Sequence, residues 1–249
     1  MKLAIATAAA AAAVLWCTQV HAAEPVKQVN IYVEPFYRSP RSAGEPPRVA
    51  VGARYDALLA SSRREDILAA RDIVTADPKT VTPMTMMVLA VRLYDVGERD
   101  EAVFWFYVAK DRMLVLTEVA TPAAIPLGQA VEAIRAFSTL AGPVINGYAF
   151  CDLQNQQAIR ARALDWVAAN PYQVMFMQQL PARAGDRAAL ATAGLRVARD
   201  NAAKEHAYFE DEANRTGFYA TRKQNDAEAK FCWHWLASAD SNQFNWLCE

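Results

Sequence analysis

The chain has 249 residues, with 26 Lys plus Arg against 27 Asp plus Glu, and 53% of its residues are hydrophobic. The near-zero balance excludes the clustered basic footprint that nucleic acid or an anionic bilayer requires. The apolar fraction excludes disorder as the main state.

The first 22 residues read as a secretory signal. Lys2 supplies the positive start, an apolar run from Leu3 to Trp16 follows, and Val20-His21-Ala22 ends the segment with small-residue spacing. The run is too short to span a ~30 Å hydrocarbon core, and no later segment supplies the roughly 20 apolar residues a membrane span needs. Lipidation at Cys17 is disfavoured because Trp16 stands where processing needs a small residue. The expectation is a periplasmic or secreted protein that starts near Ala23, with one helical domain over 54–249 behind an irregular arm over 23–53.

Pro25, Pro35, Pro40, Pro46 and Pro47 interrupt that arm. Only Val29 to Val33 alternates as a strand would. With nothing strand-like to pair with, it reads as an extended arm over the helical body, with Tyr32, Phe36 and Tyr37 pinned to the body or covered by a partner.

Helix signals then repeat, and with few Val and Ile runs they predict an all-α fold, an irregular bundle or array of helical hairpins. Ser62 and Glu65 have capping-box spacing, and Asp77-Pro78 closes the helix they open. Thr82-Pro83 pairs an N-cap with an N1 proline. Gly97 suits a left-handed turn, and Asp100-Glu101 place negative charge at the positive end of the next helix. Residues 102–109 are apolar on nearly all sides, which predicts a central, buried helix. Thr121-Pro122 and Pro126 mark another start, and Asp152 caps the helix that ends at Asn170-Pro171. The run 172–180 fits either a short helix or a strand. Gly185-Asp186 opens the longest helix, expected to reach about Arg215 along the outside of the bundle. A last helix is expected over 226–239.

Residues 93–107, Leu-Tyr-Asp-Val-Gly-Glu-Arg-Asp-Glu-Ala-Val-Phe-Trp-Phe-Tyr, resemble the helix-turn-helix unit of tetratricopeptide and Sel1-like repeats. The resemblance covers one unit of about 34 residues, whereas a solenoid needs at least three. The same segment, with Gly142 to Phe150, also resembles a family of exported bacterial helical proteins without an established activity. That resemblance implies a helical fold and brings no catalytic residues.

Beyond the signal, three cysteines remain, Cys151, Cys232 and Cys248. In an oxidising compartment they suggest one bridge and one leftover thiol. The short loop favours Cys232 with Cys248, and Cys151 with Cys248 is the rival pairing. Cys232-Trp233-His234 with Cys248 offers zinc ligands, but not in a familiar structural spacing. Cys151 with His206 or His234 could form a nucleophile pair, yet no nucleophile turn precedes Cys151. Glu205, Glu210, Asp211 and Glu212 form one carboxylate set, and Glu98, Asp100 and Glu101 another. Interspersed Arg199, Lys204 and Arg215 mark the first as a solvated face. Gly142 to Tyr148 reads as a loop, with Asn146 and Tyr148 as candidate binding residues.

No cofactor or metal is expected. The leading expectation is a non-catalytic binding or interaction protein with a protein or peptide partner, an immunity protein against a periplasm-targeted toxin being one version. A peptidoglycan hydrolase using paired carboxylates is the alternative.

Overall fold

The computed structural model describes residues 23–34, 36–42, 47–121 and 125–233, without the side chains of 125–127. Residues 1–22, with Cys17, and residues 234–249, with His234 and Cys248, lie outside the described residues. The chain is all-α. The elements in order are β1 (Tyr37–Arg38), β2 (Arg48–Val49), α1 (Ala53–Leu59), α2 (Arg64–Ala76), α3 (Pro83–Asp95), α4 (Arg99–Val119), α5 (Ile125–Leu140), α6 (Gly142–Ala149), α7 (Leu153–Ala169), a single 3-10 turn (Gln173–Phe176), α8 (Arg187–Glu210), α9 (Glu212–Gln224) and α10 (Ala227–Phe231). No helix among the described residues is long and apolar enough to cross a membrane.

Local chemistry places most of these boundaries. The Thr82 hydroxyl accepts the Thr85 amide at 3.1 Å and Pro83 follows it, so α3 starts where the sequence expected. Gly97 takes a φ of 92°, and the Glu98 amide donates back to the Leu93 carbonyl at 2.9 Å. That left-handed position turns α3 into α4. Asp152 caps α7 through the Asn155 amide, and Asp186 caps α8 through the Ala189 amide.

Four expectations need correction. The Ser62–Glu65 capping box does not form: α2 begins at Arg64, and an Arg63–Asp66 ion pair closes its first turn. Residues 29–33 are the extended arm expected of them, but strand pairing does occur nearby: β1 and β2 are antiparallel, with Tyr37 opposite Val49. The long helix stops at Glu210, because Asp211 turns outward and its carboxylate caps α9 through the Asn214 amide at 2.9 Å. Residues 142–149 form a helix and not a loop, since Pro143 sits in the first turn, where a missing amide proton costs nothing.

The centre of the bundle is α4, which touches α3, α5, α6, α7 and α8. Its residues 102–109 are all buried, Trp105 and Phe106 almost completely. Trp105 meets Trp166 of α7 edge to face, with ring centroids 5.1 Å apart. Against its other side, α8 presents Ala191, Gly194 and Ala198. A β-carbon on Gly194 would lie 2.9 Å from the Val115 α-carbon, so the two backbones approach more closely than any side chain permits.

The buried helix also carries charge. Asp111 and Arg160 form a bidentate pair with side chains 7% and 13% exposed. Burial raises the Asp111 carboxyl above its ordinary range, although the Arg160 hydrogen bond pulls it down. Next to it, Arg112 is 1% exposed and donates to the Pro78, Val81 and Asn170 carbonyls at 2.7, 2.9 and 2.7 Å.

Candidate binding groove

The arm does more than cross the bundle surface. Val26 pairs with the far end of the chain, its amide donating to the Lys230 carbonyl at 2.8 Å and its carbonyl accepting from the Tyr94 hydroxyl at 3.2 Å. Three residues on, the Val29 amide donates to Asp95 at 2.7 Å. Asn30 adopts a φ of 49°, the left-handed region that Asn tolerates best among residues with side chains. Val29, Val33 and Tyr37 are thereby buried, as the aromatic and apolar arm expectation required for Tyr37, while Tyr32 stays 44% exposed and packs edge-on to Tyr37.

Between this arm, the β1–β2 hairpin, α1 and α3 lies a groove of about 280 Å³. Ile31, Tyr32, Pro47, Val49, Leu59 and Val91 give it apolar walls, and Gln28, Asn30 and Ser62 add polar groups. Its floor is Arg92 and Asp95, one turn apart on α3. Arg92 donates to Asp95 at 2.7 Å, to the Leu59 carbonyl at 3.0 Å and to the Ser61 carbonyl at 2.8 Å, so a cation closes the C-terminal end of α1. The Asp95 side chain is 4% exposed, and burial raises its carboxyl despite the Val29 amide and Arg92. Burial likewise drives the Tyr37 hydroxyl well above its ordinary value. The floor is therefore polar yet internally neutralised. Such a site takes apolar side chains and neutral hydrogen-bonding groups more readily than a charged ligand.

Of the residues singled out in the sequence, the arm aromatics Tyr32 and Tyr37 line this groove, whereas the candidate loop residues, cysteines and carboxylates lie elsewhere. Asn146 and Tyr148 stand on α6 and face α4: the Tyr107 hydroxyl donates to Asn146 at 3.3 Å, and the Tyr148 hydroxyl to Asp100 at 2.8 Å. Cys232 is bonded to Cys151 and not to Cys248, because α6 and α10 bring their α-carbons to 5.6 Å. In that state neither sulfur is the thiolate that zinc binding or nucleophilic attack needs. No grouping of three His, Cys, Asp or Glu able to hold a metal occurs among the described residues.

The carboxylates have separate engagements. Asp100 accepts from Asn155 as well as Tyr148, Glu101 pairs with Arg162 at 3.3 Å, and Glu98 accepts from Arg64 Nε at 2.6 Å. On α8, Glu205 accepts the Gln156 amide at 2.8 Å while His206 lies 3.7 Å from Glu210. Glu210, Asp211 and Glu212 face water.

Sequence reasoning missed Arg92 and Asp95 because nothing local distinguishes them from an ordinary i,i+3 surface pair. Lys110-Asp111-Arg112 did leave a signal, three charges directly after the apolar run 102–109 of a central helix.

Fold and groove together define an all-α protein with a clamped N-terminal arm. The chain is 32% identical over 210 residues to an uncharacterised protein of Haemophilus influenzae, an alignment that covers 84% of this chain and 81% of the relative. It belongs to the same family as that protein. No family model matches the chain, so no repeat family is supported for the hairpin over residues 93–107. No solved structure matches it either.

Proposed function

We propose that the protein is exported, loses residues 1–22, and acts outside the cytoplasm as a non-catalytic binding protein whose arm groove takes an extended peptide of a protein partner. The groove carries the reading. Its apolar walls suit side chains, its rim amides suit a peptide backbone, and the paired Arg92 and Asp95 demand no net charge from the occupant. Extended peptides commonly bind through this division of labour, with main-chain hydrogen bonds for affinity and pockets for specificity. The Cys151–Cys232 bond supports export, since such bonds persist in oxidising compartments.

A photo-cross-linking residue at position 32 tests the binding reading in growing cells, with position 208 on α8, also exposed, as the control. The expected result is a discrete adduct from position 32 that disappears when Ala60→Trp fills the groove. The same adducts from both positions, or none from position 32, would overturn it.

A further inference from the structure

Arg222 lies on α9 with its side chain 8% exposed. Its Nη2 stands 3.4 Å from the Cys232 sulfur and 3.7 Å from the Cys151 sulfur. Nη1 donates to the Gly147 carbonyl at 3.1 Å, and Nε lies 3.3 Å from Glu228, whose side chain is half exposed. A buried guanidinium aimed at both sulfurs has little to gain from a disulfide, a weak acceptor. It gains an ion pair once either sulfur becomes a thiolate.

The bond sits at the root of the arm. Cys232 ends α10, whose Phe231 ring packs so closely on Gly147 that a β-carbon there would lie 2.7 Å away. The same short helix supplies the Lys230 carbonyl that holds Val26. Just beyond it, the Trp233 ring is flanked by Lys27 of the arm at 5.7 Å and by Arg99 of α4 at 4.8 Å.

We infer that Cys151–Cys232 is a reducible clamp: Arg222 favours its opening, and opening frees α10 and with it the arm that walls the groove. The reductant is a dithiol. One of its thiols, deprotonated, attacks the half-buried Cys151 sulfur, the S–S bond breaks, and the electron pair leaves on Cys232 as a thiolate beside Arg222. The reductant's second thiol, deprotonated in turn, attacks the mixed disulfide and releases Cys151, which takes up a proton. The protein gains two electrons. The dithiol loses two electrons and two protons, one of which goes to Cys151 and the other to solvent.

That this regulates binding rests on the groove reading above; the clamp itself does not, and its test needs no ligand. The mature protein is equilibrated with reduced and oxidised dithiothreitol, and the bond is followed by thiol alkylation. Arg222→Gln is expected to shift the equilibrium about tenfold toward the disulfide, about 30 mV. Glu228→Gln, which frees the guanidinium from its competing carboxylate and alters a half-exposed side chain, shifts it the other way and keeps the test open if Arg222→Gln fails to fold. Hydrogen exchange at residues 26–33 and 227–231 is expected to rise on reduction while α3 and α4 stay protected. Unchanged equilibria in the variants would overturn the role of Arg222, and unchanged exchange in the arm would overturn the clamp. If exchange rises but no adduct forms at position 32, the clamp stands and the groove reading fails.

Discussion

Arg112 is the most exacting place to test the packing. It is 1% exposed, lies 5.0 Å over the Trp166 ring and 5.4 Å over the Tyr172 ring, and no carboxylate is among its hydrogen-bond partners. Burial pulls its pKa down to about 10, so it remains a cation at neutral pH. Its three carbonyl partners belong to the α2–α3 loop and to the C-cap of α7, so one guanidinium ties three segments together. Hydrogen bonds from a charged donor contribute about 1.5–3 kcal/mol each. Against this stands the several kcal/mol spent on dehydrating the ion. Arg112→Met removes both terms, and the bonds outweigh the relief by about 3 kcal/mol. At roughly 2–4 °C per kcal/mol for a domain of this size, Tm falls by about 6–12 °C. Arg112→Lys keeps the charge but not the planar fork, and one ammonium cannot serve three divergent carbonyls. It is expected to recover less than half of the loss. Urea unfolding followed by Trp fluorescence measures both variants. A Met variant within about 0.5 kcal/mol of the parent, or full recovery with Lys, would refute the reasoning.

Gly194→Ala places a methyl group against the Val115 backbone, which cannot yield as a side chain could, and unfolding should show a loss of about 1–3 kcal/mol. Gly217→Ala meets nothing within 4 Å on α9 and should stabilise by up to about 1 kcal/mol through helix propensity. Closing the Cys151–Cys232 bond spans 81 residues, for which loop entropy gives roughly 4.5 kcal/mol. Thiolate stabilisation by Arg222 opposes this, so comparing oxidised and reduced protein in urea should give a smaller difference, one that widens in Arg222→Gln. Burial raises Asp111 above its unfolded value, so the folded state binds its proton more tightly and stability from this group is gained as pH falls through the folded pKa. The advantage of the parent over Asp111→Asn in urea titrations should therefore grow on acidification toward the unfolded pKa of Asp, and a constant difference would contradict the shift.

Local rules made most helix starts legible. Thr82, Gly97, Asp152 and Asp186 act within four residues of themselves, and their chemistry does not depend on the rest of the chain. Asp211 escaped because helical spacing continues across it, and an N-cap inside an unbroken polar pattern looks like one more exposed acid. Asn146-Gly147 misled for the opposite reason. Gly147 is small to admit the Phe231 ring, not to make a turn, and that requirement comes from residues over 80 positions away. The same distance hid the disulfide, since short loops are favoured only when geometry is unknown. The groove was the least legible part. Its floor is on α3 and its walls come from the arm, α1 and a pair of two-residue strands, and only folding brings them together.

Peptide mass spectrometry of the natively expressed protein, alkylated before non-reducing digestion, tests the exported, clamped arrangement most directly. An N-terminus at Ala23 and a linked peptide pair containing Cys151 and Cys232 are the predicted results. A retained Lys2 in the cell's main pool, or Cys232 linked to Cys248 with Cys151 alkylated, would contradict it.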